Sequence, residues 1–125
     1  MPSSMAQFVD LGHHYNGGLD LFKGVTLEIE EGSFHFLTGP SGSGKSSFLR
    51  MLYLDLKPTW GTIQLFGEDL SHVPSSLMPQ IRQKIRIVFQ EFKLLDHLTV
   101  LENVCLPLRV RGHDPLASHK KAREL

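Results

Sequence analysis

Eight consecutive residues, Gly39-Pro40-Ser41-Gly42-Ser43-Gly44-Lys45-Ser46, satisfy every fixed position of the pattern G-x-x-x-x-G-K-[ST]. The residue types suit one kind of chemistry, the holding of phosphate. Gly39, Gly42 and Gly44 permit positive φ and let backbone N–H groups close on an anion with no Cβ in the way. Lys45 is a point charge on a flexible stem that can reach β- and γ-phosphate oxygens. The Ser46 hydroxyl suits a Mg²⁺ ligand.

Such a loop acts only when a strand leads into it and a helix leaves it. Upstream, Ser33-Phe34-His35-Phe36-Leu37-Thr38 is aromatic and apolar enough for a buried strand. Downstream, Ser46 to Leu52 reads as a helix with Phe48, Leu49 and Leu52 at helical spacing. The N–H groups and dipole of its first turn favour a bound phosphate. Strand, loop and helix in that order distinguish the stretch from a flexible glycine-serine connector, and imply a nucleotide-phosphate site.

The 125 residues have the length of one ordinary domain. Lys+Arg and Asp+Glu both number 13, and this absence of a basic excess argues against nucleic acid as a partner. No apolar run approaches bilayer length, and the N-terminus lacks a secretory h-region. The single cysteine, Cys105, fits a reducing compartment. Neither repeats nor low-complexity tracts occur. The His13-His14 pair is expected on the solvated surface, since the histidines lack metal-ligand spacing.

Ahead of the loop, Phe8 to Leu11 is a short strand candidate, followed by a turn around Asn16-Gly17-Gly18. Val25 to Glu30 alternates apolar and polar, which predicts an antiparallel strand with Val25, Leu27 and Ile29 inward. Tyr15 lies at this turn. Spacing favours a loop aromatic covering part of the core, and its other reading is a platform for a purine ring.

After the loop helix, Lys57 to Gly61 is a turn, with Trp60 a packed loop side chain. Thr62 to Gly67 is a strand with Ile63 and Leu65 on one face, and Pro79 opens a short helix. Ile85 to Phe89 has the composition of a central strand, ending at Gln90. Thr99-Val100-Leu101-Glu102 forms a capping box for a helix lined by Leu101, Val104, Cys105 and Leu108. Cys105 there is a core residue, with no basic partner to activate it. Pro107 should kink that helix and Gly112 should end it. Asp114-Pro115 then opens a last helix, Leu116 to Leu125.

The order of features resembles the ATP-binding domain of ABC-type ATPases. An aromatic precedes a β hairpin, then come the phosphate loop, a Pro-Thr-x-Gly turn and a strand ending in Val88-Phe89-Gln90. The resemblance implies an α/β P-loop fold with an antiparallel β subdomain and an incomplete parallel core sheet with helices. It implies that residues 1–125 are the N-terminal part of one such domain. ATP and Mg²⁺ would be its ligands. Tyr15 would stack on adenine, and Gly39, Pro40, Ser41, Gly42, Ser43, Gly44, Lys45, Ser46 and Ser47 would hold phosphate. Ser46 and Gln90 would face Mg²⁺, with Gln90 also at the attacking water. The implied partners are a second ATP-binding subunit, as a homodimer, and an integral membrane subunit at the cytoplasmic face of the inner membrane.

Residues 36–39, 89–95 and 98–108 look like the cell-division branch of the family, with lipoprotein-release and solute-uptake ATPases as alternatives. A third alternative is a nucleotide-binding module without catalysis. A small-molecule P-loop kinase fits less well, because of the hairpin and the Val-Phe-Gln strand end. Three family features are not found in these 125 residues: a Leu-Ser-Gly-Gly-Gln-like signature, an apolar strand ending in Asp-Glu, and a later switch histidine. These residues alone are therefore expected to bind nucleotide without turning it over.

Overall fold

The computed structural model describes residues 3–125, which divide into two compact units with the boundary between Ile85 and Arg86. In the first unit the alternating pattern of the N-terminal third becomes two long antiparallel strands. These are β1 (Ser4–His14) and β2 (Asp20–Glu30), joined through the turn that Gly18 N–H closes on Tyr15 O at 3.2 Å. Val25, Leu27 and Ile29 of β2 are half-buried against the core, as their spacing predicts. β3 (Trp60–Leu65) pairs antiparallel with the other edge of β1, and the two-residue β4 (Glu68–Asp69) turns back on β3. The sheet order is β2-β1-β3-β4.

β1 is longer than the expected four residues, and it does not keep one parity. Ala6 and Phe8 point into the core, then Asp10 adopts φ 49° and the register slips against both neighbours. The slip is a β-bulge, and beyond the exposed Asp10 the side chains of Leu11 and His13 turn inward, with Gly12 buried between them. Gly61 on β3 accommodates the bulge. At φ 85°, a Cβ there would lie 2.5 Å from the Asp10 carbonyl oxygen. Trp60 lies flat across Gly12, where a Cβ would meet its indole at 2.1 Å. It is a packed residue and begins a strand instead of ending a turn.

One face of the sheet is covered by α1 (Lys45–Leu52). Phe48 packs tilted against the fully buried Phe8, 4.9 Å centroid to centroid, and edge-to-face on Phe22 at 6.3 Å. Burying a side chain such as Phe8 stabilises the fold by roughly 1.5–3 kcal/mol. The inward positions of α1 are Phe48, Met51 and Leu52, whereas Leu49 turns to solvent. The expected set named Leu49; the i, i+3, i+4 phase through Phe48 selects Met51. After α1 the Arg50 guanidinium binds Asp55 at 2.8 Å. A 3₁₀ turn (Ser75–Leu77) and α2 (Met78–Arg82) follow β4, and Arg82 holds the Leu54 carbonyl at 2.8 Å.

Two expected core strands do not form as strands. Residues 33–38 and 85–89 lie outside the strands of the sheet, and Phe34, Phe36 and Val88 are more than four-fifths exposed. The reason is pairing. A strand's N–H and C=O groups need a neighbour, and a parallel core strand needs cover on both faces. The paired sheet among the described residues is therefore wholly antiparallel.

In the second unit, α3 (Val100–Val110) packs against α4 (Pro115–Arg123). The capping box forms as read: Glu102 N–H donates to Thr99 Oγ1 and Thr99 N–H donates to the Glu102 carboxylate. Asp114 caps α4 through Leu116 N–H at 2.8 Å. Cys105 is fully buried, while Val104 is partly turned to solvent, so the apolar face is narrower than expected. Pro107 sits inside α3 without ending it, and Gly112 follows with φ 89°.

Candidate nucleotide-phosphate site

The loop and the start of α1 form one local structure. Gly44 is the N-cap of α1 at φ 94°, and a Cβ there would lie 2.7 Å from the Phe22 ring and 2.9 Å from Leu21. Only glycine meets both demands, a left-handed backbone and contact with β2. The first helical bond runs from Phe48 N–H to Gly44 O at 2.8 Å. The N–H groups before it have no acceptor within the helix, and no acidic residue lies in the first turn. This is the electropositive end at which an anion is favoured.

Lys45 reaches back over the loop, where its ammonium donates to the Gly39 and Pro40 carbonyls, each at 2.7 Å. Two of its three donors are thus engaged, which leaves one for a phosphate oxygen. Ser43 N–H donates to Pro40 O at 3.2 Å, closing the turn that carries the exposed Ser41 and Gly42. The Ser46 side is exposed and Ser47 is buried. A hydroxyl oxygen at the exposed position fits a hard, oxygen-seeking cation such as Mg²⁺.

Tyr15 joins this site, although 32 residues separate it from Ser47 in sequence. Its hydroxyl lies 2.8 Å from Ser47 Oγ. The ring remains half-exposed. Its inner side meets the His13 imidazole edge-to-face, at 5.4 Å and 81°. His13 was expected on the surface with His14. It is instead 8% exposed, because the Asp10 bulge turns it inward, while His14 points out. Its Nδ1 lies 3.2 Å from Thr59 Oγ1, a partner that sequence reasoning missed.

Gln90 lies in the second unit, exposed at a turn that Phe92 N–H closes on Phe89 O. Phe92 and Lys93 take φ of 59° and 54°. Beside Gln90, the Glu91 carboxyl is held below the usual glutamate range by the hydrogen bond and then the charge of Lys93. Asn103 fixes the chain beyond the turn. Its amide accepts from Leu95 N–H and donates to the carbonyls of Leu95, Leu98 and Thr99. Nothing in the spacing marked Asn103 for that role.

Comparison with known proteins gives the arrangement a family. The model of the family described as ABC transporter matches residues 22–125. The chain belongs to the ABC transporter family. Among ABC relatives, it is 39% identical over 121 residues to the cell division ATP-binding protein FtsE of Bacillus subtilis, covering 97% of this chain and 53% of the relative. It is 43% identical to the phosphonates import ATP-binding protein PhnC 2 of a Synechococcus, over 80% of this chain and 37% of that one. The ATP-binding cassette MJ0796, solved as a dimer in a post-hydrolysis state with ADP and Pi, superposes with a TM-score of 0.86. That match is 35% identical and covers 96% of this chain and 55% of the cassette. The fold is that of the ABC ATPase cassette, with an antiparallel strand subdomain and helices among the described residues. The chain spans about half the length of the cell-division relative and of the cassette it matches.

Proposed function

We propose that residues 1–125 are the N-terminal part of one ABC ATP-binding domain and hold Mg-ATP, with phosphates on Gly39 to Ser47 and the base on Tyr15. The observation that carries this reading is the 2.8 Å contact between the Tyr15 hydroxyl and Ser47 Oγ, which puts an aromatic face beside the phosphate loop. Lys45 and the α1 N–H groups take β- and γ-phosphate oxygens. Ser46 ligates Mg²⁺, which when bound neutralises phosphate charge. Gln90 is assigned to Mg²⁺ and the attacking water on the family resemblance alone. A positioned carboxylate base has no counterpart in the residues assigned here, so hydrolysis draws on further residues of the intact protein and of a second ATP-binding subunit.

The intact protein, in this reading, is an ATPase of FtsE type at the cytoplasmic face of the inner membrane. It acts on an integral membrane partner of FtsX type in cell division. Its attachment is peripheral in this reading. Among the described residues no helix is long and apolar enough to cross a membrane. The similarity to FtsE over 97% of the chain supports that choice. Solute import is the second reading, favoured by the phosphonate-import relative. Co-purification from membranes with an FtsX-type protein or with an import permease separates the two.

Nucleotide binding is tested by titrating ATP into wild type and Lys45→Ala. Losing a charge-assisted phosphate contact of roughly 1.5–3 kcal/mol lowers affinity about tenfold or more. Equal affinities would remove the phosphate-site assignment.

A further inference from the structure

The contact between the turn before β3 and the end of β1 has no part in the phosphate chemistry, and it joins the buried His13 to the exposed Thr59. A buried imidazole needs a hydrogen-bond partner. His13 finds it in Thr59, 46 residues away, at 3.2 Å. Thr59 is itself held twice by the backbone of β1. Its N–H donates to Gly12 O at 2.9 Å, and its hydroxyl accepts from His14 N–H at 3.2 Å. The hydroxyl keeps its own hydrogen and a second lone pair, so it can pair with His13 Nδ1 as donor or as acceptor.

This pair lies directly behind the Tyr15 ring. Tyr15 has two fixed points. Its hydroxyl is tied to Ser47 on α1, and its ring rests against the His13 imidazole at 81°. A ring held only at its hydroxyl could still turn about the line through its Cβ and Oη. The edge-to-face contact with His13 removes that turn, and Thr59 keeps His13 from rotating away.

We infer that Thr59 and His13 are positioning residues for the nucleotide base: their hydrogen bond holds the Tyr15 ring in the orientation in which it stacks. The inference rests on Tyr15 being the base platform. Through this pair, the turn before β3 sets a ring that lies just beyond the end of β1, and Ser47 of α1 sets the other end of the same ring. Preorganisation of this kind raises affinity for the base and leaves affinity for phosphate alone unchanged.

The test uses two probes on the full chain: ATP, which has a base, and inorganic tripolyphosphate, which has none. Thr59→Val keeps the shape and removes the hydroxyl. It weakens ATP about three- to tenfold, the scale of an oriented aromatic contact, with tripolyphosphate binding unchanged. Thr59→Ser restores ATP binding. His13→Phe, which keeps a ring and loses the nitrogen that pairs with Thr59, gives the same selective loss and decides the matter if Thr59→Val does not fold. In a Tyr15→Ala background, Thr59→Val has no further effect on ATP.

Several results would overturn the inference. One is unchanged ATP affinity in both Thr59→Val and His13→Phe while Tyr15→Ala weakens ATP; the platform then stands and the positioning pair falls. Another is a parallel loss of ATP and tripolyphosphate, which marks a merely structural role. A third is an undiminished Thr59→Val effect without the Tyr15 ring. If Tyr15→Ala binds ATP like wild type, the platform and the pair fall together.

Discussion

Gly44 links the phosphate loop to the core, and substituting it separates two costs. Alanine at φ 94° meets the ordinary left-handed penalty of about 1–2 kcal/mol. Its Cβ would also sit 2.7 Å from the Phe22 ring and 2.9 Å from Leu21, both attached to β2. Relieving such overlap in a packed region costs roughly 1–3 kcal/mol. The expected destabilisation by Gly44→Ala is therefore about 2–5 kcal/mol, a large part of a typical domain's stability. Gly42→Ala is the internal control. Its φ of 79° is equally left-handed, but nothing lies within 4 Å of the added Cβ. Only the conformational cost applies, about 1–2 kcal/mol. Urea unfolding of both variants at constant m-value reads the difference. Equal losses would refute the claim that contact with β2 dictates glycine at the helix N-cap.

Other outcomes follow from the platform and the second unit. Tyr15→Trp keeps or tightens ATP binding and Tyr15→Ala weakens it, both measurable by calorimetry, because a larger π face stacks as well. Thr99→Ala removes the α3 cap and costs about 1 kcal/mol in urea unfolding. The Glu102 carboxyl is held below the usual range by Thr99 N–H and then by the Thr99 hydroxyl. A lowered folded value stabilises the chain above the ordinary glutamate range, and that contribution disappears as pH falls through the lowered value. Unfolding midpoints of wild type and Glu102→Gln should therefore separate at neutral pH and converge in acid.

What could be read in advance was local. The loop, the start of α1, the capping box at Thr99 and the Asp114 cap each depend on residues within a few positions of one another, and all appear where spacing puts them. Non-local geometry was not legible. Asp10 takes a positive φ without being glycine, and that one bulge reverses the parity of β1. His13 is consequently buried, Thr59 acquires a role, and the His13-His14 pair divides between inside and outside. Residues 33–38 and 85–89 carry strand composition, but strand formation depends on a neighbour, which composition does not report. In α1 the spacing places Phe48 and Leu52 on the inward face, and the anchor of Phe48 on Phe8 puts Met51 there in place of Leu49.

The lysine bound to its own loop has an entropic consequence. A lysine side chain ordered from free solution loses up to roughly 2 kcal/mol of rotamer freedom. Lys45 has already lost it, because two carbonyls, those of Gly39 and Pro40, fix the position of its ammonium. An incoming phosphate then meets a stationary charge and orders nothing further along that stem. The same two bonds make Lys45 a brace for a stretch of chain that is rich in glycine and serine and otherwise loosely held. Removing the side chain therefore frees the loop as well as deleting a contact, and an affinity lost on substitution measures both.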